Sequence, residues 1–367
     1  MSEELSFLPT VSRRDFLAYC GAIATLIGLG KSATLDVAEA LAQLARRPSV
    51  VWSSFQVCTG CAINLLESRS PDPATLILQQ ISLDYQDNVM AAAGTAAEQL
   101  FEQATARDFY WIVEGSIPTK PPEALQIAGR TAADIAKETY PKATAVIAIG
   151  SCSSYGNIQA SRPNPTGAMG VGEYLRGEGG IPNARVINSP RCPGHGEDTI
   201  AILASILVTG DLPELDAVGR PLFLFGETVH DNCERRGHFE AGEFVETFGD
   251  AGSQNDWCLY KVGCKGPVTH APCPKLRWNG HLSWPVDSGG PCIGCAEPDF
   301  WDELTPFYDK APGIRLPGDV SAETVGYVVG GAAAVGIGAH LIGQAATGRL
   351  GKGGPPEETK GSEGGER

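Results

Sequence analysis

Short apolar runs separated by stretches of helical composition recur through the first half of the chain. S-V-V-W-S-S-F at 49–55, T-L-I-L-Q-Q-I-S-L at 75–83, F-Y-W-I-V-E at 109–114, A-V-I-A-I-G at 145–150 and A-R-V-I-N at 184–188 predict the strands of a mainly parallel sheet. Ala91–Thr105, Pro122–Tyr140 and Glu197–Thr209 predict helices between them, so the class is α/β. After about Leu215 the texture changes to glycine, proline and aromatic residues, as in N-G-H-L-S-W-P-V-D-S-G-G-P at 279–291. A region so rich in loops needs another source of stability, which metal sites closing long loops can supply. The expected domains are 49–215, built on the sheet, and 216–315, rich in loops. There is no internal repeat.

The two ends add targeting. S-R-R-D-F-L at 12–17, followed by the mildly apolar stretch from Leu17 to Leu29, reads as a twin-arginine signal over residues 1–42. Ala40-Leu41-Ala42 gives a small-x-small cleavage site, so the mature chain starts near Gln43 and loses Cys20. This kind of signal exports proteins that are already folded. Residues 325–348 carry no formal charge and would span roughly 30 Å of hydrocarbon as a helix. Asp319 and Glu323 precede that stretch and Arg349 and Lys352 follow it, so the positive-inside bias leaves the main body on the periplasmic side of the cytoplasmic membrane. Gly326 and Gly330 form a G-x-x-x-G surface, and His340 inside the span faces either a haem-bearing partner or a neighbouring helix. The glycine, glutamate and proline of 353–367 predict a disordered tail. A net charge of −15 with scattered Lys and Arg argues against nucleic acid as a partner.

Ten cysteines follow the signal, in three groups: Cys58, Cys61, Cys152 and Cys192; then Cys233, Cys258 and Cys264 after His230; then Cys273, Cys292 and Cys295. Those counts match the ligands of three iron-sulfur clusters: four thiolates for one cubane, three thiolates and an imidazole for another, and three thiolates for a three-iron cluster. Cys58, Cys152 and Cys192 all fall just after predicted strands, and the carboxyl edge of an open α/β sheet is where cofactors bind. Disulfides, zinc at the His230 set and simple burial are the competing readings of these cysteines. The export context favours disulfides, whereas the C-x-x-C spacing at 58–61 and the folded-export signal favour metal.

C-T-G-C, S-L-D-Y-Q-D-N-V-M-A-A-A-G at 82–94, V-E-G-S-I-P at 113–118, I-G-S-C-S-S-Y-G at 149–156, H-D-N-C-E-R-R-G-H-F at 230–239 and P-C-I-G-C-A-E-P-D-F-W-D at 291–302 together carry a resemblance. The chain resembles the small subunit of a membrane-associated nickel-iron hydrogenase. The resemblance implies a flavodoxin-like N-terminal domain without flavin, a C-terminal iron-sulfur domain and a C-terminal transmembrane helix. It assigns Cys58, Cys61, Cys152 and Cys192 to a proximal 4Fe-4S cluster, and His230, Cys233, Cys258 and Cys264 to a distal 4Fe-4S cluster. Cys273, Cys292 and Cys295 would hold a medial 3Fe-4S cluster, with Pro285 where a fourth ligand might stand, so that electron order is first, third, second group.

Oxygen-tolerant relatives carry extra cysteines at the positions of Gly60 and Asn157, so a standard cubane and oxygen sensitivity are expected here. Many relatives have Glu where this chain has Val57, which removes that carboxylate from any proton route, and Gly where it has Arg191. Arg191 raises the proximal potential if it points at that cluster; otherwise it sits in solvent or pairs with a carboxylate. The chain has no nickel-type ligand set such as two C-x-x-C pairs in one domain, so hydrogen chemistry belongs to a large-subunit partner carrying the NiFe centre. The expected acceptor is a membrane cytochrome b or an iron-sulfur protein. The alternatives are a wire subunit of another respiratory complex, such as the cluster subunit of complex I, which lacks a second domain, and a disulfide- or zinc-stabilised binding protein.

Overall fold

β-Branched and aromatic residues dominate the apolar runs, and parallel pairing buries both faces of such strands. A computed structural model of the chain describes residues 47–69, 72–77, 81–309, 315–316 and 320–347, with Gly21 alone before them. β1 (Ser49–Ser54), β2 (Ser82–Gln86), β3 (Tyr110–Glu114), β4 (Ala145–Ile149) and β5 (Ile187–Ser189) form one parallel sheet in the order β2-β1-β3-β4-β5. This is the flavodoxin-like order, with its switch between β1 and β3. Trp52, Ile112, Ile147 and Ile187 lie opposite one another, and Ser54, Glu114, Ile149 and Ser189 make the row at the carboxyl edge.

Six helices follow in chain order: α1 (Gly60–Leu66), α2 (Thr95–Ala104), α3 (Ala132–Thr139), α4 (Gly150–Tyr155), α5 (Val171–Arg176) and α6 (Gly196–Thr209). Alternate strand residues feed two cores. Val50, Trp52, Ile112 and Ile147 pack with Leu65 of α1 and Ile200, Leu203 and Ile206 of α6. Val51, Trp111, Val113 and Val146 pack with Phe101, Ile135 and Leu175 from α2, α3 and α5. The first core continues into Leu224, Phe225, Val229, Leu259, Trp284 and Ala296, so the loop-rich part builds on the same apolar cluster. Helical turns of three to six residues make up the regular structure from 222 to 303.

Two predicted elements take a different form. The run at 75–83 contributes only its end to a strand, which begins at Ser82. Upstream, Asp72 and Pro73 start a helical turn in which the Asp72 side chain accepts from Thr75 N at 3.1 Å, a local N-cap that outweighs the apolar run. The helix expected over 122–140 is confined to Ala132–Thr139. A small hairpin precedes it, pairing Gln126–Ile127 with Arg130–Thr131 around Ala128 and Gly129, both at positive φ. Two such residues are what a type I′ turn requires, and Thr131 then caps α3 by accepting from Asp134 N at 3.1 Å.

The chain divides into two units, Met1–Ala311 and Pro312–Arg367. In the second, Arg315–Leu316 pairs antiparallel with Val320–Ser321, and α7 (Ala322–Ala346) follows. Its 25 residues measure about 37 Å at about 1.5 Å per residue. Val328, Val329, Val335, Ile337, Leu341 and Ile342 are exposed along it, and His340 and Gln344 join side chains at 3.1 Å. This is the apolar helix expected over 325–348. The expected signal peptide over 1–42, apart from Gly21, and the tail over 353–367 lie outside the described residues.

Candidate functional site

The first cysteine group sits at the carboxyl edge of the sheet. Thr59, at φ 63, turns the chain left-handed so that C-T-G-C wraps onto the start of α1, leaving Cys58 exposed and Cys61 buried. Cys152 lies in α4, directly after β4, and Cys192 follows β5. The backbone is shaped around the sulfurs. Gly194 N donates to Cys61 Sγ at 3.1 Å, and Asn157 Nδ2 donates to Cys152 Sγ at 3.2 Å and Cys192 Sγ at 3.4 Å. Gly150, at φ +79, approaches so closely that a Cβ there would stand 2.5 Å from Cys61 Sγ. A Cβ on Gly60 would stand 3.3 Å from Cys58 Sγ.

The second group surrounds a small pocket lined by His230, Cys233, Cys258, Cys264, Arg235 and Tyr260 among others. All four expected ligands face one space. The His230 ring packs edge-on against Phe239 at 4.7 Å, and burial, then Arg236, holds it below the usual histidine range, keeping it neutral. A neutral imidazole is the ligand form.

The third group links the other two. Ser151 Oγ, one residue before Cys152, donates to the Cys295 carbonyl. On the other side Lys265 N, one residue after Cys264, donates to Cys292 O at 2.7 Å. Cys273 is buried at the start of a helical turn, while Pro285 is exposed, its carbonyl accepting from Gly290 N at 2.8 Å.

All ten of these cysteines are free thiols, which removes the disulfide reading for them. Burial pushes Cys152 and Cys233 up to about 11 and Cys295 up to about 12, and raises Cys61 and Cys292 as well. The hydrogen bonds that the protein donates to these sulfurs do not offset that burial, and bound cationic iron would. Among the described residues no three His, Cys, Asp or Glu side chains converge tightly enough to hold a single metal ion. Tetrahedral zinc, with Zn–S near about 2.3 Å, requires such convergence. The corners of an iron-sulfur cube stand farther apart, and the glycine cradles and the thiol-rich donor sets fit that larger group.

Several contributors were not legible as site residues. Glu114, the last residue of β3, is fully buried and accepts from Cys61 N at 3.0 Å, Ala62 N at 3.3 Å and Trp52 Nε1 at 3.1 Å, anchoring the start of α1. Asn157 was singled out only as a position that lacks cysteine; its amide binds two sulfurs. Arg235 lines the second cavity, donating to Trp257 O at 2.9 Å and Asp256 at 2.8 Å. Val57 is partly exposed and supplies no carboxylate. Arg191 neither sits in solvent nor bonds a first-group sulfur: it is fully buried, pairs with Asp198, and its Nη1 lies 3.5 Å from Cys273 Sγ. No signal in the sequence distinguishes that outcome, because Asp198 and Cys273 meet Arg191 only through the fold.

The sequence model for the C-terminal part of NiFe/NiFeSe hydrogenase small subunits matches residues 225–308, and that for the 20 kDa subunit of NADH ubiquinone oxidoreductase matches 58–206. The periplasmic NiFe hydrogenase small subunit 1 of Nitratidesulfovibrio vulgaris is 46% identical over 303 residues, covering 82% of this chain and 94% of that protein. The quinone-reactive Ni/Fe-hydrogenase small chain of Wolinella succinogenes is 41% identical over 345 residues, covering 90% and 95%. Among solved structures, the reduced, active Ni-Fe-Se hydrogenase from Desulfomicrobium baculatum aligns with a TM-score of 0.66 at 35% identity, covering 72% of this chain and all of that one. With identity of this order over most of both sequences and a shared parallel-sheet fold, the chain belongs to the small subunits of nickel-iron hydrogenases, components of an H2 oxidoreductase.

Proposed function

We propose that this chain is the electron-transfer subunit of a periplasmic, membrane-anchored hydrogenase. In this reading Cys58, Cys61, Cys152 and Cys192 hold a proximal 4Fe-4S cluster, Cys273, Cys292 and Cys295 a medial 3Fe-4S cluster, and His230, Cys233, Cys258 and Cys264 a distal 4Fe-4S cluster. Bound there, the clusters would carry single electrons from H2 oxidation at the large subunit's NiFe centre to a membrane acceptor, a cytochrome b or an iron-sulfur protein. The observation that carries the reading is the hydrogen bond on each side of the third group, from Ser151, beside Cys152, to the Cys295 carbonyl and from Lys265, beside Cys264, to the Cys292 carbonyl. It supports a middle place in the series for the third group, although that group is last in sequence.

The exposed edge of the first group supports a partner on that side. Cys58 and Cys192 are exposed, and Ile63 and Leu66 of α1 and Ile158 beside Asn157 expose apolar side chains near them. The twin-arginine motif and α7 support export and anchoring of the main body outside the cytoplasm. The match of 58–206 to a respiratory-complex subunit favours a second reading, a wire in another redox complex, but that likeness leaves the second and third cysteine groups outside it.

Iron and sulfide analysis of the purified complex, with low-temperature EPR, tests the proposal. About eleven irons per chain is expected for four, three and four, with an oxidised three-iron signal that disappears in Cys273→Ser. No iron, or no such signal in the oxidised wild type, refutes it.

A further inference from the structure

Between the first and third cysteine groups lies an ion pair out of reach of water. Arg191 and Asp198 are both 0% exposed. Arg191 Nε donates to Asp198 Oδ2 at 2.9 Å and Nη2 donates to the same oxygen, while Nη1 donates to Cys273 Sγ at 3.5 Å. The guanidinium also stacks over Trp278, 5.0 Å from the ring centre.

Such an arrangement is expensive to build. Desolvating each ion costs several kcal/mol, and well-packed apolar residues often serve stability as well or better. The Arg191 backbone is at φ 122, a conformation that favours glycine. Packing alone therefore does not account for an arginine here, whereas its contact with Cys273 gives it a use.

The geometry divides the guanidinium in two. One edge is spent on Asp198; the other faces sulfur, so the near field of the cation falls on Cys273. His195, beside the pair, bonds the Arg277 carbonyl through Nε2 at 2.8 Å and is held down at about 2 by burial and then by Arg191, so it adds no second cation. None of the three guanidinium nitrogens of Arg191 bonds a first-group sulfur.

We infer that Arg191 is a positioning residue whose buried charge, aimed by Asp198, donates a hydrogen bond to the Cys273 thiolate and holds the reduction potential of the third-group cluster up. The inference rests on the reading of Cys273, Cys292 and Cys295 as a cluster site. An added electron increases negative charge on the sulfurs, and a fixed donor and cation stabilise that state more than the oxidised one. Little water is present to screen the effect.

Redox titration of the purified complex, followed by the oxidised three-iron EPR signal, is the test. In Arg191→Gly the midpoint of that signal shifts negative, and the first-group midpoint shifts less. In Asp198→Asn, which removes the counter-charge, it shifts positive. Loosened packing would move both variants the same way, so opposite signs identify the charge. An unmoved third-group midpoint in Arg191→Gly, or the same sign in both variants, overturns the inference while leaving the cluster reading intact. A wild type without the three-iron signal overturns the cluster reading, and the inference with it. If Arg191→Gly or Asp198→Asn does not retain iron, Arg191→Gln against Arg191→Lys decides: a negative shift in Gln that Lys largely restores supports the inference, and equal midpoints refute it.

Discussion

Gly150 offers a substitution whose consequence can be separated from its backbone cost. It stands where β4 becomes α4, at φ +79, and a Cβ there would come within 2.5 Å of Cys61 Sγ. Favourable non-bonded separations begin near about 3.5 Å, so the sulfur would have to move by about 1 Å. That displacement breaks its 3.1 Å hydrogen bond from Gly194 N and moves a buried ligand out of register with Cys58, Cys152 and Cys192. The backbone adds about 1–2 kcal/mol for a side chain in the left-handed region. Gly129 provides the control. It has φ +78 and nothing within 4 Å of its hypothetical Cβ, so Gly129→Ala carries the same backbone cost without touching a sulfur. The assay is iron per chain in the purified complex, beside thermal stability. Both variants should lose about 1–2 kcal/mol of stability from the backbone. Gly129→Ala should keep about eleven irons and Gly150→Ala should fall towards about seven, with the three-iron EPR signal kept. Equal iron content in the two variants would refute the idea that the β4–α4 turn is shaped around a ligand sulfur.

Three further outcomes are expected. Glu114→Ala leaves the N–H groups of Cys61, Ala62 and Trp52 without their acceptor, costing about 3 kcal/mol or more in all; Glu114→Gln keeps an acceptor for the two backbone groups and should cost clearly less, and equal thermal inactivation of the two would contradict this account. For His195 the folded pKa of about 2 lies below the unfolded value, so the unfolded chain binds the extra proton and stability is lost as pH falls below about 6.5, by about 1.4 kcal/mol per unit. Denaturant midpoints between about pH 5 and 6.5 should show that slope in wild type and a shallower one in His195→Gln; parallel slopes would count against it. Removing residues 312–367 deletes α7 with its exposed valine, isoleucine and leucine side chains, and should move the hydrogenase from the membrane pellet to the soluble fraction; continued sedimentation with membranes would dismiss α7 as the anchor.

Much of the architecture is local information. Apolar runs of β-branched and aromatic residues marked five strands because parallel strands are buried on both faces, and the positions of Cys58, Cys152 and Cys192 after three of them placed one site at the sheet edge. The misreadings are local too: Asp72-Pro73 and Ala128-Gly129 form caps and turns that override the composition around them. The sequence by itself determined which Cys and His side chains can serve as ligands, their grouping along the chain into four, four and three, and the uncharged stretch near the C-terminus, because spacing, residue chemistry and charge are written along the chain. Only the tertiary structure decided which groups are neighbours. Ser151 and Cys295 stand 144 residues apart, and Arg191 and Cys273 stand 82 apart, so their contact depends on how the loop-rich part packs against the sheet core. The links from the third group to the segments beside the other two, the acceptor role of Glu114 and the aim of Arg191 all arise there, where burial strips away water and leaves each polar group only the partner that the fold supplies.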